Sequence, residues 1–194
     1  MEHALMFPAV SPRHTLSTDD LSDVLAWTDQ HGRSLDSLSR ERPILLVFLR
    51  HLGCTFCREA ATDVSVQREA IEREGVTPAF VGMMEDAALG EFLEAYGLGD
   101  LPRFADPDRE LYQAFGLRRG NPRQLFGPRV WKRGLAAAAP SWLGGGGHGL
   151  GALQGDGLQM PGVFLLHEGR VIGGHRHDTA ADRPDYRELA CEAG

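Results

Sequence analysis

Two cysteines separated by two residues, Cys54-Thr-Phe-Cys57, are the part of this 194-residue chain best suited to chemistry. On a helix, thiols at this spacing lie one turn apart, close enough to close a disulfide. If a helix begins at the pair, Cys54 stands where unpaired backbone N–H groups and the helix dipole favour an anion. A thiolate is then available near neutral pH. Cys54 is therefore expected to attack and Cys57 to resolve. Arg50, His51 and Arg58 are near enough in sequence to add positive potential, although His51 would serve equally as a turn residue. Thr55 and Phe56, between the two sulfurs, are candidates for positioning a substrate. Two blander uses of the pair stay open. It could be half of a zinc site completed by His175-Arg-His177, whose alternation puts both rings on one face of a strand. Alternatively both cysteines could be inert core residues, against which Gly53 and its polar neighbours argue for a surface turn.

The flanks supply the elements that position the pair. Pro43-Ile-Leu-Leu-Val-Phe-Leu49 is a continuous apolar run, the pattern of a strand buried on both faces. A helical pattern through Ala60, Ala61, Val64 and Ile71 follows Cys57 and ends at Gly75. Val76 to Met84 reads as a second buried strand. Asp86 caps a helix running to Tyr96 and Gly97, with the acidic residues between Glu85 and Glu94 as its solvated face. Arg103-Phe104-Ala105 is a short strand, and Asp106-Pro107 opens a helix with proline in its first turn. Upstream, Ser17-Thr-Asp-Asp20 forms a capping box for a short amphipathic helix through Leu21, Val24 and Trp27, stopped by Gly32. Residues 33–42 are ambiguous. Val163 to Leu166 and Val171 to Gly174 flank His167-Glu-Gly-Arg170 as a hairpin, with Gly169 free to take positive φ. Asp182-Arg-Pro184 begins the last helix, which carries Tyr186 and Cys191.

Alternating strands and helices of this kind imply an α/β fold with a mainly parallel central sheet. The pattern breaks from Gly116 to Gly157, a stretch with several arginines, an alanine run and a glycine run. Segments this long without periodicity are functional lids or flexible insertions. Phe126, Trp131 and Trp142 there either offer a docking surface to a protein disulfide partner or cover the sheet edge.

Composition narrows the classes. Hydrophobic residues at 42% and charged residues at 24% are ordinary for a globular chain. A net charge of -7 speaks against a nucleic-acid or anionic-membrane surface. No stretch approaches the roughly 18 apolar residues that would span a bilayer, and the N-terminus does not read as a secretory signal, so a cytoplasmic location is expected. There a close cysteine pair is more often catalytic or metal-binding than a structural staple.

The run Arg42-Pro-Ile-Leu-Leu-Val-Phe-Leu-Arg50 before Cys54-Thr-Phe-Cys57-Arg-Glu59 resembles the alkyl hydroperoxide reductase/thiol-specific antioxidant branch of the thioredoxin superfamily, in its peroxiredoxin-like, selenoprotein-L-like group. Further matches are Asp106-Pro-Asp-Arg-Glu-Leu-Tyr112, Phe115-Gly-Leu117, Gly157-Leu-Gln-Met-Pro-Gly-Val-Phe164, Gly173-Gly-His-Arg176 and Asp182-Arg-Pro-Asp185. The resemblance implies a thioredoxin-like fold: a central mixed sheet flanked by helices, an N-terminal helical extension over 1–34, a domain over 35–194 and an insertion over about 117–157 before a cis-proline strand. Pro161, after Met160, matches the cis-proline that faces the active cysteines and exposes a backbone edge to a substrate; an ordinary trans proline at a strand start is the alternative.

One departure from the family pattern matters. The standard peroxidase site has a proline, a threonine and the peroxide-reactive cysteine at fixed spacing, where this chain has Arg50, Cys54 and Cys57. The hydroxyl that would orient a peroxide is missing, whereas thiol–disulfide exchange needs only the pair. Some peroxiredoxins carry a terminal resolving cysteine, but Cys191 reads first as an incidental half-buried helix residue. His175 and His177 otherwise read as strand-end residues solvated on one side, and Arg176 as a further positive charge near the thiols. The expected function is an oxidoreductase cycling Cys54 and Cys57 between dithiol and disulfide. An atypical two-cysteine peroxidase and a redox-sensing binding protein are the alternatives. No metal or organic cofactor is implied. Electrons would come from a cellular thiol donor of thioredoxin or glutathione type and go to a disulfide or peroxide substrate, with no nucleic acid or membrane partner.

Overall fold

The computed structural model describes residues 21–121 and 156–193. Along the chain they form α1 (Leu35–Glu41), β1 (Ile44–Phe48), α2 (Thr55–Arg73), β2 (Thr77–Gly82), α3 (Asp86–Glu94), β3 (Arg103–Ala105), α4 (Glu110–Ala114), β4 (Gly162–His167), β5 (Arg170–Arg176) and α5 (Tyr186–Cys191). The strands make one mixed sheet in the order β3-β2-β1-β4-β5. β1 runs parallel to β2 and antiparallel to β4, β3 is parallel to β2, and β5 is antiparallel to β4.

The apolar run of β1 puts it at the centre. All five of its residues are buried, and strand alternation divides them between two cores. Leu45 and Val47, with Leu49 just beyond, pack with residues of α2, α3 and α5. Ile44, Leu46 and Phe48 pack on the other face with residues of α1 and α4, and with Leu21 and Val24 from the described part of the N-terminal extension. Pro78 sits inside β2 without leaving a gap in the ladder. Its missing N–H would point toward β3, and β3 reaches only Phe80 to Gly82. The β4–β5 hairpin turns on Glu168 (φ 50°) and Gly169 (φ 72°), the two positive φ values of a type I′ turn.

Several expectations are corrected. The described part of the helix expected from Ser17 to Gly32 is a run of turns after Leu21. There the Asp29 carboxylate accepts from the backbone of His31 and Arg33 and from the Arg33 side chain, closing a loop that competes with helix. Residues 35–41 form α1, capped by Ser34. The helix after Asp106-Pro107 starts only at Glu110, because Asp106 closes a turn first and its carboxylate accepts from the N–H of Glu110. The last helix is capped by Asp185 rather than Asp182. No cis peptide occurs among the described residues, so Met160–Pro161 is trans and Pro161 is not the expected cis-proline. It lies directly before β4, where a proline fits without distortion. The insertion expected over about 117–157, with Phe126, Trp131 and Trp142, lies outside the described residues except at its ends. No helix among the described residues is long and apolar enough to cross a membrane.

Candidate redox site

β1 ends at the site. After Arg50 the chain turns through His51, Leu52 and Gly53, and the turn closes with the Cys54 N–H donating to the His51 carbonyl at 2.9 Å. Cys54 is the N-cap of α2, and its carbonyl accepts from the N–H of Cys57 (3.1 Å) and Arg58 (3.2 Å). Cys57 is thus one turn inside the helix, and the two cysteines lie 3.7 Å apart as free thiols. Exposure is 5% for Cys54 and 4% for Cys57. The expected surface turn is therefore buried, covered by segments that return from far along the chain.

Arg50 organises both sulfurs. Its backbone N–H donates to Cys57 Sγ at 3.1 Å, and its guanidinium Nη1 lies 3.6 Å from Cys54 Sγ. The same guanidinium donates to the carbonyls of Gln159 (2.9 Å) and Gly157. Gln159 in turn donates its side-chain amide to the Leu117 carbonyl at 2.9 Å, holding the segment in place. The two thiols are driven apart electrostatically. Hydrogen bonding from Cys57, the charge of Arg50 and the N–H groups of Cys57 and Phe56 bring the Cys54 pKa down to about 6 against the opposing effect of burial. Burial, reinforced by the adjacent Cys54 sulfur, pushes Cys57 well above the usual thiol range.

A pH dependence follows from these opposite shifts. Only the thiolate alkylates, so iodoacetamide labelling of Cys54 is expected to fall off below pH about 6 and to reach its plateau near neutrality. Cys57 stays unlabelled over the same range. Following labelled peptides by mass spectrometry across pH checks both. Replacing Arg50 by methionine removes the positive charge, and the Cys54 midpoint is expected to move up. A rise of about two units would leave roughly a tenth of the thiolate at pH 7 and slow labelling about tenfold.

The other candidates divide. Phe56 packs against Met160 and Ala180 as a small apolar cluster beside the thiols, and Phe56 and Pro161 line a cleft with Cys57. Thr55 is the half-buried first residue of α2. His51 does not supply the expected positive charge, because burial and the neighbouring Arg50 lower its pKa and keep the ring neutral. The Arg58 Nε donates to the Leu52 carbonyl at 3.4 Å, and the guanidinium on Cys54 is that of Arg50. Arg176 points to the opposite face, where it donates to the Phe115 carbonyl and lies 5.1 Å over the Phe164 ring. Alternation on β5 requires this: Arg176 pairs with Gly162, and His175 with Val163 on the cysteine side. The His175 and His177 rings lie 5.3 Å apart, and among the described residues no three His, Cys, Asp or Glu groups are disposed to hold a metal ion. Cys191 is exposed at the end of α5.

Three features were not singled out from sequence. Gln159 and Gly157 anchor Arg50 across more than a hundred residues. Arg183, from the segment before α5, donates to the Asp63 carboxylate at 2.6 Å and lies 3.3 Å from Glu59, clamping that segment to α2. Between the clamp and the start of β4 lies a narrow cleft lined by Cys57, Pro161, His177 and Tyr186.

A family model described as AhpC/TSA antioxidant enzyme matches residues 63–179, a span that begins just after the cysteine pair. The chain is 28% identical over 191 residues to a peroxiredoxin-like 2C of Bos taurus, covering 94% of this chain and 82% of that protein. It is 33% identical over 162 residues to the Homo sapiens prostamide/prostaglandin F synthase, covering 79% and 78%. Among solved structures, the peroxidoxin BcpB of Mycobacterium tuberculosis superposes with a TM-score of 0.56 at 16% identity, over 86% of this chain and 88% of that one. A cysteine-to-serine mutant of Xylella fastidiosa PrxQ gives 0.56 at 13% identity, over 94% and 93%. Identities this low bear on the fold alone.

Proposed function

The chain belongs to the AhpC/TSA antioxidant enzyme family, and from that premise we propose that it reduces a peroxide or disulfide substrate through the Cys54 thiolate, with Cys57 as the resolving thiol. The observation that carries this reading is the geometry of the pair: two free thiols 3.7 Å apart, with the Arg50 guanidinium 3.6 Å from Cys54 Sγ and the Arg50 N–H donating to Cys57 Sγ.

The chemistry follows from this geometry. With a hydroperoxide, the Cys54 thiolate attacks the O–O bond, forming a sulfenic acid and releasing an alcohol or water. With a disulfide, it forms a mixed disulfide and releases one thiol. Cys57 then attacks the Cys54 sulfur, and the Cys54–Cys57 disulfide is returned to the dithiol by a cellular thiol donor. The missing threonine bears on which substrate is preferred. Cys57 occupies the position of the peroxide-reactive cysteine, yet it is the member of the pair whose pKa is raised. A peroxide reaction therefore runs through Cys54, where Arg50 rather than a hydroxyl faces the incoming oxygens. Relatives named prostamide/prostaglandin F synthase add prostaglandin-type compounds to the substrates to assay.

The test is a time course of the reduced chain against hydrogen peroxide and, separately, a model disulfide, quenched by alkylation and mapped by mass spectrometry. Fast Cys54–Cys57 closure after peroxide, through a sulfenic acid on Cys54, assigns a peroxidase. Slow peroxide oxidation with fast exchange assigns a disulfide reductase. If neither reaction outruns a free thiol, the reading is wrong.

A further inference from the structure

We propose that Gln159 is a positioning residue of the redox site: it holds two backbone carbonyls against the Arg50 guanidinium and so limits the positive charge that reaches Cys54. The inference rests on the reading above, in which Cys54 is the attacking sulfur.

A guanidinium is a flat fork of N–H donors, so groups that fix one edge also fix where the rest point. The Nε and Nη2 of Arg50 donate to the carbonyls of Gln159 (2.9 Å) and Gly157. Nη1 is the donor left for Cys54 Sγ, 3.6 Å away. Two neutral acceptors and one ionisable sulfur thus draw on a single cation. Once Cys54 ionises, it becomes the charged acceptor of the three and pulls on the guanidinium harder than either carbonyl. The fork can follow only as far as the carbonyls yield.

Gln159 decides how far that is. It is 3% exposed, and its side-chain amide donates to the carbonyls of Leu117 (2.9 Å), Arg118 (3.3 Å) and Met160 (3.3 Å). Buried bonds of this kind are the ones whose loss is felt. The same turn is also tied from outside. The Asp156 carboxylate accepts from the Leu158 N–H at 2.9 Å and pairs with Arg109 (2.7 Å) and Arg119 (2.9 Å). The Gly120 N–H donates to the Leu158 carbonyl at 2.7 Å, and the Met160 N–H to the Arg118 carbonyl at 3.2 Å. These outer ties do not involve the Gln159 amide. Without that amide the segment still covers Arg50, while its carbonyls gain freedom to move. Arg50, itself buried, then leans toward the thiolate rather than into water. The hydrogen bond from Cys57 is the largest influence behind the Cys54 pKa of about 6, burial opposes it, and the charge of Arg50 adds to it. A closer Arg50 favours the thiolate further.

The test is iodoacetamide labelling of Cys54 against pH in the full, reduced chain, mapped by mass spectrometry. Gln159→Met keeps the length of the side chain and removes its donors, and thermal melting checks that it folds. Its Cys54 midpoint is expected to fall by about half a unit, which at pH 5 gives about 2.5 times as much thiolate. In an Arg50→Met background the same substitution is expected to move the midpoint by less than about 0.2 unit, because the cation it restrains is gone. A general loosening of the fold would not depend on Arg50 in this way. A midpoint that stays near 6 or rises in Gln159→Met overturns the proposal. An equal shift with and without Arg50 overturns it too. Should Gln159→Met fail to fold, the parent decides through heteronuclear NMR of the Arg50 Nε–H. Its proton resonance is expected to move upfield as Cys54 ionises, the mark of a weakened bond to the Gln159 carbonyl. No movement, or a downfield one, overturns the restraint. Labelling on Cys57 in place of Cys54 would sink the assignment of the attacking sulfur and the restraint with it. A low Cys54 midpoint that ignores Gln159 removes the restraint alone.

Discussion

Cys54→Ser is expected to abolish turnover, lowering it by about 10³-fold or more, because a serine hydroxyl at this site has no comparable ionisation near neutral pH. Cys57→Ser is expected to behave differently. The Cys54 thiolate still forms, since a hydroxyl can donate to it as the thiol did, so the first half-reaction proceeds and then stops. The trapped species is a sulfenic acid or a mixed disulfide on Cys54, at one equivalent per chain, visible as an intact-mass shift that a reductant removes. Cys57→Ala separates donation from resolution: losing the donor raises the Cys54 pKa from about 6 and slows even the first step at neutral pH. A Cys57→Ser protein that turns over with a monothiol donor would show that the second sulfur is dispensable. A Cys54→Ser protein that still does so would displace Cys54 from the chemistry altogether.

The second large effect is on stability. Phe48 lies in the middle of the sheet, 1% exposed, with the rings of Tyr112, Phe115 and Phe164 at 5.0, 5.1 and 5.7 Å. Truncation leaves a cavity among aromatic rings that β1, β4 and α4 hold from three sides, so collapse around it is restricted. Phe48→Ala is expected to cost about 3–5 kcal/mol, the usual range for a buried phenylalanine, and Phe48→Leu under about 2. Urea denaturation reads this as a drop in midpoint at unchanged slope. A loss below about 1 kcal/mol for the alanine variant would mean that the aromatic cluster does not hold the sheet to α4.

How far the sequence foretells this molecule depends on the range of the interactions. The β1 strand, the start of α2 at the cysteines and the type I′ turn at Glu168-Gly169 are written in runs of neighbouring residues, and each falls where the local pattern places it. Residues 21–32 also read locally as a helix, but Asp29 captures its own backbone neighbours and turns the chain instead. Alternation along β5 was enough to put His175 and His177 on one face and Arg176 on the other. It could not tell which face the cysteines share, and so the charge of Arg176 went to the wrong side. The burial of His177, the hold of Gly157 and Gln159 on Arg50, and the Arg183 clamp on Asp63 all join positions about a hundred residues apart or more. No local periodicity encodes such pairings.

The guanidinium of Arg50 is shared between a sulfur whose charge changes during the reaction and the carbonyls of residues 157 and 159. Such sharing makes the oxidation state of Cys54 and the position of that segment reciprocal quantities. Anything that draws the segment from Arg50 frees the cation for the thiolate, and oxidising Cys54 frees it for the carbonyls. Each process must change the other by the same free energy. For a two-electron couple, about 1.4 kcal/mol of such coupling moves the midpoint potential by about 30 mV. Displacing the 157–159 segment from Arg50 is therefore expected to shift the potential of the cysteine pair without any contact to either sulfur.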